Sequence, residues 1–326
     1  MWHDCPVTEQ VVMTITGMGA SATDGQQDRA HHISLPHHSP IAHGFTKIAL
    51  EITDGIITQA QPQLGSMHRG AEKLFESRDY RQVLMLANRH EWLCAFSGEV
   101  GVAQLLERAL GIEVPTYATW LRTLLLEMNR VTAHLAFLAG FPWQEQSNDA
   151  DVSLQLRQLR ELWVTHLQHY TGSRMHPMVT RIGGFTHAPT VQWLATLPSL
   201  VTSTQSLMTA HQQRVHQQIG QLNDVGVITR EQAINAALSG PVARASGYAL
   251  DTRASHGGLQ YTSLTSWATS TLQRGDVTCR LAQLANEITT SVNMIAELAE
   301  VCASLDGQEF NVLLPKVLRV PEGNYE

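Results

Sequence analysis

The residues best suited to chemistry interrupt a leucine-rich segment that is predicted to be a long helix: Arg122, Glu127, Arg130 and His134. The two arginines are eight positions apart, and the glutamate and the histidine are seven apart. About two turns of helix separate the members of each pair, so each pair shares a face. Because burying an unpaired charge is costly, these groups need partners. They predict structural ion pairs between helices and subunits, with a direct catalytic role for one of them as the alternative.

Histidine and cysteine are the residues that could bind a metal. Four histidines fall within eight residues near the N-terminus, without a cysteine or acidic partner at helical spacing: His31, His32, His37 and His38. Such a tract is more typical of a solvent-exposed arm than of a metal site, which stays the alternative. The four cysteines are scattered and form no C-x-x-C pair. They indicate reduced thiols and no metal-binding cysteine set in this chain.

The composition is that of a globular protein with room for one or two domains. Hydrophobic residues make up 43% of the 326 positions and charged residues only 16%, which favours an exterior partly covered by partners. The net charge of -7 argues against a nucleic-acid-binding protein, because phosphate contacts need basic side chains. The chain has no apolar run long enough for a transmembrane helix and no basic segment followed by an apolar one, as in a secretory signal.

The hydrophobic pattern predicts a mostly α protein with small β elements, an α+β fold. Residues 1–35 carry no clear periodicity and are expected to form a flexible arm. Residues 36–326 are expected to form a single domain. In it, residues 36–64 are a β-hairpin that turns at Asp54-Gly55, residues 65–310 are a helical core, and residues 311–326 begin a C-terminal β region.

Within the helical core, apolar residues that recur every three or four positions predict helices over 117–138, 153–169 and 190–222. A further long helix is expected to begin after Asp276, which is a good N-cap. A short helix is predicted to begin with a capping box at Thr229 and to end at Gly240-Pro241. A strand candidate covers 316–320.

Four short motifs follow one another along the chain: Pro40-Ile41-Ala42-His43-Gly44, the segment from Leu64 to Glu76 with His68-Arg69-Gly70, the helix from Leu121 to His134, and Leu238-Ser239-Gly240-Pro241 followed by Arg244. In this order and spacing they resemble the family of D-type subunits of NADH-quinone oxidoreductase (respiratory complex I). The resemblance covers residues 40–320. It implies a helical core like that of nickel-iron hydrogenase large subunits, without their metal.

The resemblance implies a quinone site in which a histidine and a tyrosine donate hydrogen bonds to the two quinone oxygens. His43 matches the histidine, and an imidazole suits proton donation because its pKa lies near neutrality. Holding its own loop in place is the alternative role for His43. Trp92 stands where the family carries the tyrosine, so it would pack the head group and supply one N–H donor but no phenolic proton. Gln144, with Glu145 beside it, stands where the family carries an acid.

Partners follow from the same resemblance. The chain is expected to be a peripheral-arm subunit on the cytoplasmic face of the inner membrane, beside an iron–sulfur B-type subunit, a C-type subunit and a membrane heel subunit. Electrons would pass from NADH through the partner's cluster to quinone, linked to proton translocation, and the isolated chain would be inactive. Ion pairs or subunit contacts are expected for a further set of residues: His68, Arg69, Glu72, Lys73 and Arg244.

The alternative function is a non-catalytic scaffold paralogue in a complex I-like or membrane-bound hydrogenase-like assembly. Trp92 and Gln144 favour it, because neither side chain can deliver the proton that the family residue would deliver. The end of the sequence at Glu326, where the family continues into a β region, favours it too.

Overall fold

A computed structural model describes residues 14–16, 30–34, 47–53, 56–65, 68–141, 152–218, 222–254 and 258–325. The chain divides into two compact units, Met1–Ala71 and Glu72–Glu326, and each is described by itself. The hairpin falls in the first unit and the long helices in the second, and the single domain expected over 36–326 stays a prediction.

The first unit contains an antiparallel sheet of four strands in chain order: β1 (Thr14–Thr16), β2 (Ala30–Ser34), β3 (Lys47–Thr53) and β4 (Ile56–Gln63). The pairing of β3 with β4 confirms the predicted hairpin, with Lys47 opposite Gln63 and Thr53 opposite Ile56. The turn residues Asp54 and Gly55 lie outside the described residues. Within residues 1–35, expected to form a flexible arm, lie β1 and β2, which the sequence did not predict. Strands this short are too brief to show an alternating pattern, and pairing with β3 supplies the backbone hydrogen bonds that hold β2.

Helices dominate the second unit. Among the described residues they are α1 (Ala71–Glu76), α2 (Tyr80–His90), α3 (Ala95–Leu110), α4 (Thr116–Gly140), α5 (Val152–Thr171), α6 (Val191–Gln218), α7 (Arg230–Asn235), α8 (Gly240–Ala245) and α9 (Val277–Ser304). Two short strands, β5 (Thr180–Arg181) and β6 (Gly184–Phe185), pair between α5 and α6. The mostly α, α+β prediction is confirmed. No described helix combines the length and hydropathy that crossing a bilayer requires.

The core of this unit lies between the long helices that the hydrophobic pattern predicted. α4 packs against α5 and α9, and α6 packs against α9. Leu121 and Met128 of α4 are fully buried, as are Val292 and Ile295 of α9. Burying each such side chain stabilises the fold by roughly 1.5–3 kcal/mol relative to leaving it exposed. Asp276 caps α9 as predicted, accepting a hydrogen bond from the Cys279 backbone N–H at 2.7 Å.

Two local predictions are corrected. Gly240-Pro241 does not end the helix that begins after the Thr229 capping box: that helix is α7, which ends at Asn235, and Gly240-Pro241 starts α8. Proline suits the first turn of a helix because the backbone donors there have no partner within the helix. Residues 316–320 form no strand, because no neighbouring strand pairs with them. Instead, the Arg81 guanidinium donates to the carbonyl oxygens of Pro315 and Lys316, at 2.8 and 2.9 Å.

Candidate functional site

Arg122, predicted to need a partner, forms an ion pair with Glu107 of α3. Two parallel hydrogen bonds of 2.6 and 2.7 Å join its guanidinium to the two carboxylate oxygens. The same guanidinium donates to the carbonyl of Arg181 at 3.0 Å, and Glu107 accepts from the backbone N–H of Gly183 at 2.7 Å. Only 1% of Arg122 is exposed. The pair therefore links α3 and α4 to the turn between β5 and β6. Its two parallel hydrogen bonds need the planar guanidinium of an arginine, which a lysine cannot replace.

Glu287 of α9 gathers three basic side chains. One carboxylate oxygen accepts from Arg130 at 2.5 Å and lies 2.9 Å from Nε2 of His134, both on α4. The other oxygen accepts from Nε of Arg244 at 2.6 Å and from the amide of Gln283 at 2.9 Å. This carboxylate therefore joins α4, α8 and α9 inside the core.

Glu127 of α4 is a second buried carboxylate. It accepts hydrogen bonds from Arg253 at 2.7 Å, the Tyr261 hydroxyl at 2.8 Å and the Ser291 hydroxyl at 2.6 Å. The Arg130 guanidinium lies 3.6 Å from the Glu127 carboxylate and also pairs with Glu287, so it connects the two carboxylates. The Arg253 guanidinium also lies over the Tyr261 ring, 5.2 Å from its centroid, a cation–π arrangement.

Charges balance within this buried ion-pair cluster, defined as Glu127, Glu287, Asp251, Arg130, Arg244, Arg253 and His134. Three carboxylates face three guanidinium groups when His134 is neutral. Burial lowers the pKa of His134, and the nearby Arg130 lowers it further against the opposing effect of Glu287. Burial alone would raise the pKa of Glu127 and of Glu287, but the arginines and hydrogen bonds around them hold both pKa values below the usual range.

The remaining residues predicted to make ion pairs lie on the surface. His68, Arg69, Glu72 and Lys73 are exposed, and Lys73 pairs with Glu76 at 2.9 Å. Exposed pairs of this kind contribute about 0–1 kcal/mol. Within the described part of the chain the other three form no ion pair, so their predicted subunit contacts stay a prediction.

Trp92 lies in the turn between α2 and α3 and is 39% exposed. It lines a small cavity together with Leu93, Phe96, Met175 and Pro177, which supply apolar surface. The polar lining includes Asn129, Arg160 and Arg174. We call this the Trp92 cavity.

Positive charge reaches the Trp92 cavity from α5 and the segment that follows it. Arg174 pairs with Glu161 at 2.6 Å. Arg160 donates to the carbonyl of Thr132 at 3.3 Å and, within the described residues, has no carboxylate within ion-pair distance. Burial lowers the pKa of Arg160, and the nearby Glu161 opposes that shift. Apolar side chains beside a guanidinium group form a surface that suits a flat ring with electron-rich oxygen atoms.

Within the described residues the Trp92 cavity encloses about 20 Å³, room for little more than a water molecule. Pockets for drug-sized ligands enclose roughly 300–1,000 Å³. The Trp92 cavity alone is therefore too small to enclose a ligand of that size. His43, Gln144 and Glu145 lie outside the described residues, as do His37 and His38. No set of three His, Cys, Asp or Glu side chains suited to a metal comes together in the described ranges, and the predicted lack of a metal stays a prediction.

Sequence reasoning missed the acids that complete the ion pairs. Glu287 lies between Leu284 and Ile288 on the apolar face of α9, and a charge inside such a stripe is a signal of a buried partner. Glu107 and Glu99 of α3 carried no comparable signal, because α3 was not delimited from the sequence.

Known proteins resemble this chain over most of its length. Residues 151–322 match the family described as respiratory-chain NADH dehydrogenase, 49 Kd subunit. A D-type subunit of NADH-quinone oxidoreductase from Streptomyces griseus is 38% identical over 316 residues, which cover 96% of this chain and 79% of the relative. Another, from Streptomyces coelicolor, is 39% identical over 327 residues, which cover 98% of this chain and 82% of the relative.

The fold is also found in a chain of the membrane-bound sulfane sulfur reductase, an archaeal respiratory membrane complex. The superposition has a TM-score of 0.75 and covers 90% of this chain and 78% of the other, at 24% identity. The two Streptomyces relatives are more than 30% identical to this chain, which covers more than three quarters of each, and this similarity establishes the family. The chain belongs to the family of NADH-quinone oxidoreductase D-type subunits.

Proposed function

We propose that this chain is a peripheral-arm subunit of an NADH-quinone oxidoreductase and forms one wall of its quinone site. The Trp92 cavity is the observation that carries the proposal. It presents an aromatic side chain and apolar neighbours beside Arg160, at the position where the family carries a tyrosine. A quinone has a flat apolar ring and two oxygens that accept hydrogen bonds, and a wall of this composition suits both.

The positive charge of the wall favours reduction. Electrons that enter a quinone make its oxygens more negative, and the half-buried Arg160 lowers the energy of that charge. Electrons would reach the quinone from a cluster in a partner subunit of the B type, with NADH as the donor. A cavity of about 20 Å³ cannot enclose a quinone. The C-type and membrane heel subunits would therefore complete the site, and the isolated chain would be inactive.

His43 completes the proposal as the proton donor to one quinone oxygen. Its role rests on its match to the family motif. In this assignment Trp92 packs against the ring and offers its indole N–H, and the second proton comes from another group because an indole does not titrate in this range. The site would face the cytoplasm, at the membrane surface.

The test is quinone reduction by the assembled complex that carries His43→Ala. We expect turnover to fall by about 10²-fold or more, the usual contribution of a positioned acid–base group. His169→Ala, which removes an exposed histidine of α5, is the matched control and should leave turnover unchanged. Unchanged turnover of the His43→Ala complex, with normal assembly, would remove His43 from the site. A wild-type complex that assembles without quinone-dependent activity would leave the chain as a scaffold.

A further inference from the structure

Four glutamates in the described residues are buried, and one of them differs from the others. Glu107, Glu127 and Glu287 each have an arginine nitrogen within 2.7 Å. Glu99 of α3, which is 0% exposed, has no basic side chain within ion-pair distance in the described ranges. A buried carboxylate without a counter-ion is costly, so the neutral acid is favoured here more than at the other three sites.

The contacts of Glu99 come from two neighbouring segments. The backbone N–H groups of Met178 and Thr180 donate to its two oxygens at 2.7 and 3.2 Å. The Asn88 side-chain amide of α2 donates to the oxygen that Met178 also uses. All three contacts are hydrogen bonds from neutral groups. They stabilise the carboxylate but supply no full positive charge.

Two buried polar atoms beside Glu99 have no hydrogen-bond partner among the described residues: Oδ1 of Asn88 and Oγ1 of Thr180. Unpartnered acceptors are rare in protein interiors and require an explanation. An ionised carboxylate can only accept, so it faces the NH₂ group of Asn88. A protonated carboxyl group carries one O–H donor, and Oδ1 of Asn88 can accept it once the amide turns over. Asn88 therefore offers a partner to each protonation state of Glu99.

Glu99 is connected to the Trp92 cavity through the segment from Met175 to Met178. Met175 and Pro177 line that cavity, and Met178, whose N–H donates to Glu99, follows Pro177. Met178 has a φ of 52°, a left-handed conformation that is unfavourable for a side chain of this size. The hydrogen bond from its N–H to Glu99 stabilises Met178 in this conformation. Gain or loss of a proton by the Glu99 carboxyl group would therefore affect the position of Met178 and of the neighbouring Pro177, which lines the cavity.

Other ionisable groups near Glu99 come from α2 and from the segment before β6. Arg181 acts on the carboxyl group through space and donates to the Met178 carbonyl at 2.9 Å. His176 contacts the Asn88 carbonyl at 3.2 Å, and Arg89 contacts the Met178 sulfur at 3.4 Å. From α4 the neutral Asn129 accepts from the Phe96 N–H. Burial raises the pKa of Glu99 to about 7, and its hydrogen bonds and Arg181 oppose the rise only in part.

We propose that Glu99 exchanges one proton with solvent. Through Asn88 and Met178, its protonation state would determine the charge and the hydrogen bonds next to the side of the Trp92 cavity that Met175 and Pro177 line. On protonation, a solvent proton forms an O–H bond on Glu99, which donates to Oδ1 of Asn88. On release, that bond breaks, the proton returns to solvent, and the amide donates again. Glu99 is a positioning residue, since it acts through the wall and not on the ligand.

The consequence for quinone reduction rests on the proposed function. A negative charge on Glu99 opposes the arrival of electrons at a quinone bound at the Trp92 cavity. Turnover should therefore fall as pH rises through the range in which Glu99 ionises. Glu99→Gln, whose amide resembles the neutral acid in shape and can face Oδ1 of Asn88, should remove that fall.

Infrared spectroscopy of the assembled complex between about pH 5 and pH 9 tests the proton itself. We expect a carbonyl stretch of a protonated carboxyl group that disappears near neutral pH and is absent from Glu99→Gln. It should persist in the control Glu300→Gln, which alters an exposed glutamate of α9. Isotopic labelling of glutamate carboxyl groups shows in the wild type that the band comes from a glutamate, and its loss in Glu99→Gln assigns it to Glu99.

Turnover against pH is the second measurement on the same samples. Across the range in which the band disappears, turnover of the wild type and of Glu300→Gln should fall by about tenfold more than turnover of Glu99→Gln. No labelled band that titrates in this range, or a band that persists in Glu99→Gln, would overturn the proposal. A titrating band in a complex that reduces no quinone supports the proton site and contradicts the proposed function.

Discussion

Arg130 of α4 and Glu287 of α9 lie 157 positions apart in the sequence and form a hydrogen-bonded ion pair of 2.5 Å inside the core. The same carboxylate binds Arg244 of α8 at 2.6 Å. One acidic residue thus neutralises two cations from two helices, the buried Arg244 and the part-buried Arg130. Its removal would leave Arg244 without an ion-pair partner among the described residues and Arg130 with Glu127 alone, at 3.6 Å. This loss is far more costly than the loss of a surface pair.

Glu287→Ala should therefore destabilise the protein by about 3–5 kcal/mol, the cost of breaking a buried ion pair from one side. The midpoint of denaturant unfolding measures the loss. Glu300→Ala removes an exposed glutamate of the same helix and should change stability by less than about 0.5 kcal/mol. Equal midpoints for the two variants would show that the buried cluster does not hold the core together.

Acid should destabilise the protein through the same cluster. The pKa values of Glu127 and Glu287 in the folded protein lie below their ordinary value of 4.5. Their contribution to stability is therefore complete above about pH 4.5 and is lost as pH falls through the lower, folded-state pKa values. Melting temperature measured from pH 6 downward should fall most steeply below about pH 4.5. In Glu287→Ala the slope should be shallower, and an unchanged slope would assign the acid sensitivity to other groups.

The long helices and the hairpin could be predicted because their hydrophobic patterns are regular. α4, α5 and α9 each carry apolar residues on a stripe that the core buries. In β3 the apolar Ile48, Leu50 and Ile52 alternate with Ala49, Glu51 and Thr53 in the sequence. β1 and β2 could not be predicted, because short strands depend on pairing with a distant segment. Gly240-Pro241 was assigned to a helix end, since glycine and proline mark both ends of helices.

The candidate site was predictable only in part. Charged residues on the apolar stripe of α4 indicated buried partners, and Glu127, Arg130 and His134 have them. The partners Glu107, Glu287 and Arg253 are remote in sequence, and no local pattern states which distant side chain comes within 3 Å. Trp92 was singled out by the family motif, whereas its neighbour Arg160 carried no signal on an ordinary amphipathic helix.

Arg160 should contribute to quinone reduction through its charge. Arg160→Gln in the assembled complex should lower turnover by about tenfold, equal to 1.4 kcal/mol of lost charge stabilisation. Arg157→Gln removes an exposed arginine one turn earlier on α5 and is the matched control. Steady-state rates at saturating quinone separate the two variants. If both retain full turnover, Arg160 plays no part in the reduction.

Trp92→Ala tests the assignment of the quinone wall most directly, with Phe137→Ala as the control. The two aromatic side chains are almost equally exposed, at 39% and 38%, but only Trp92 lines the cavity. The measurement is NADH oxidation by the assembled complex as a function of quinone concentration. Electron transfer from NADH to an acceptor that takes electrons before the quinone site is measured beside it.

Trp92→Ala should raise the KM for quinone by about tenfold or more, because the lost ring removes apolar contact worth at least 1.4 kcal/mol. Phe137→Ala should leave KM unchanged, and both variants should reduce the earlier acceptor normally. A fully assembled Trp92→Ala complex with wild-type KM and turnover for quinone would contradict the placement of the quinone site at this wall.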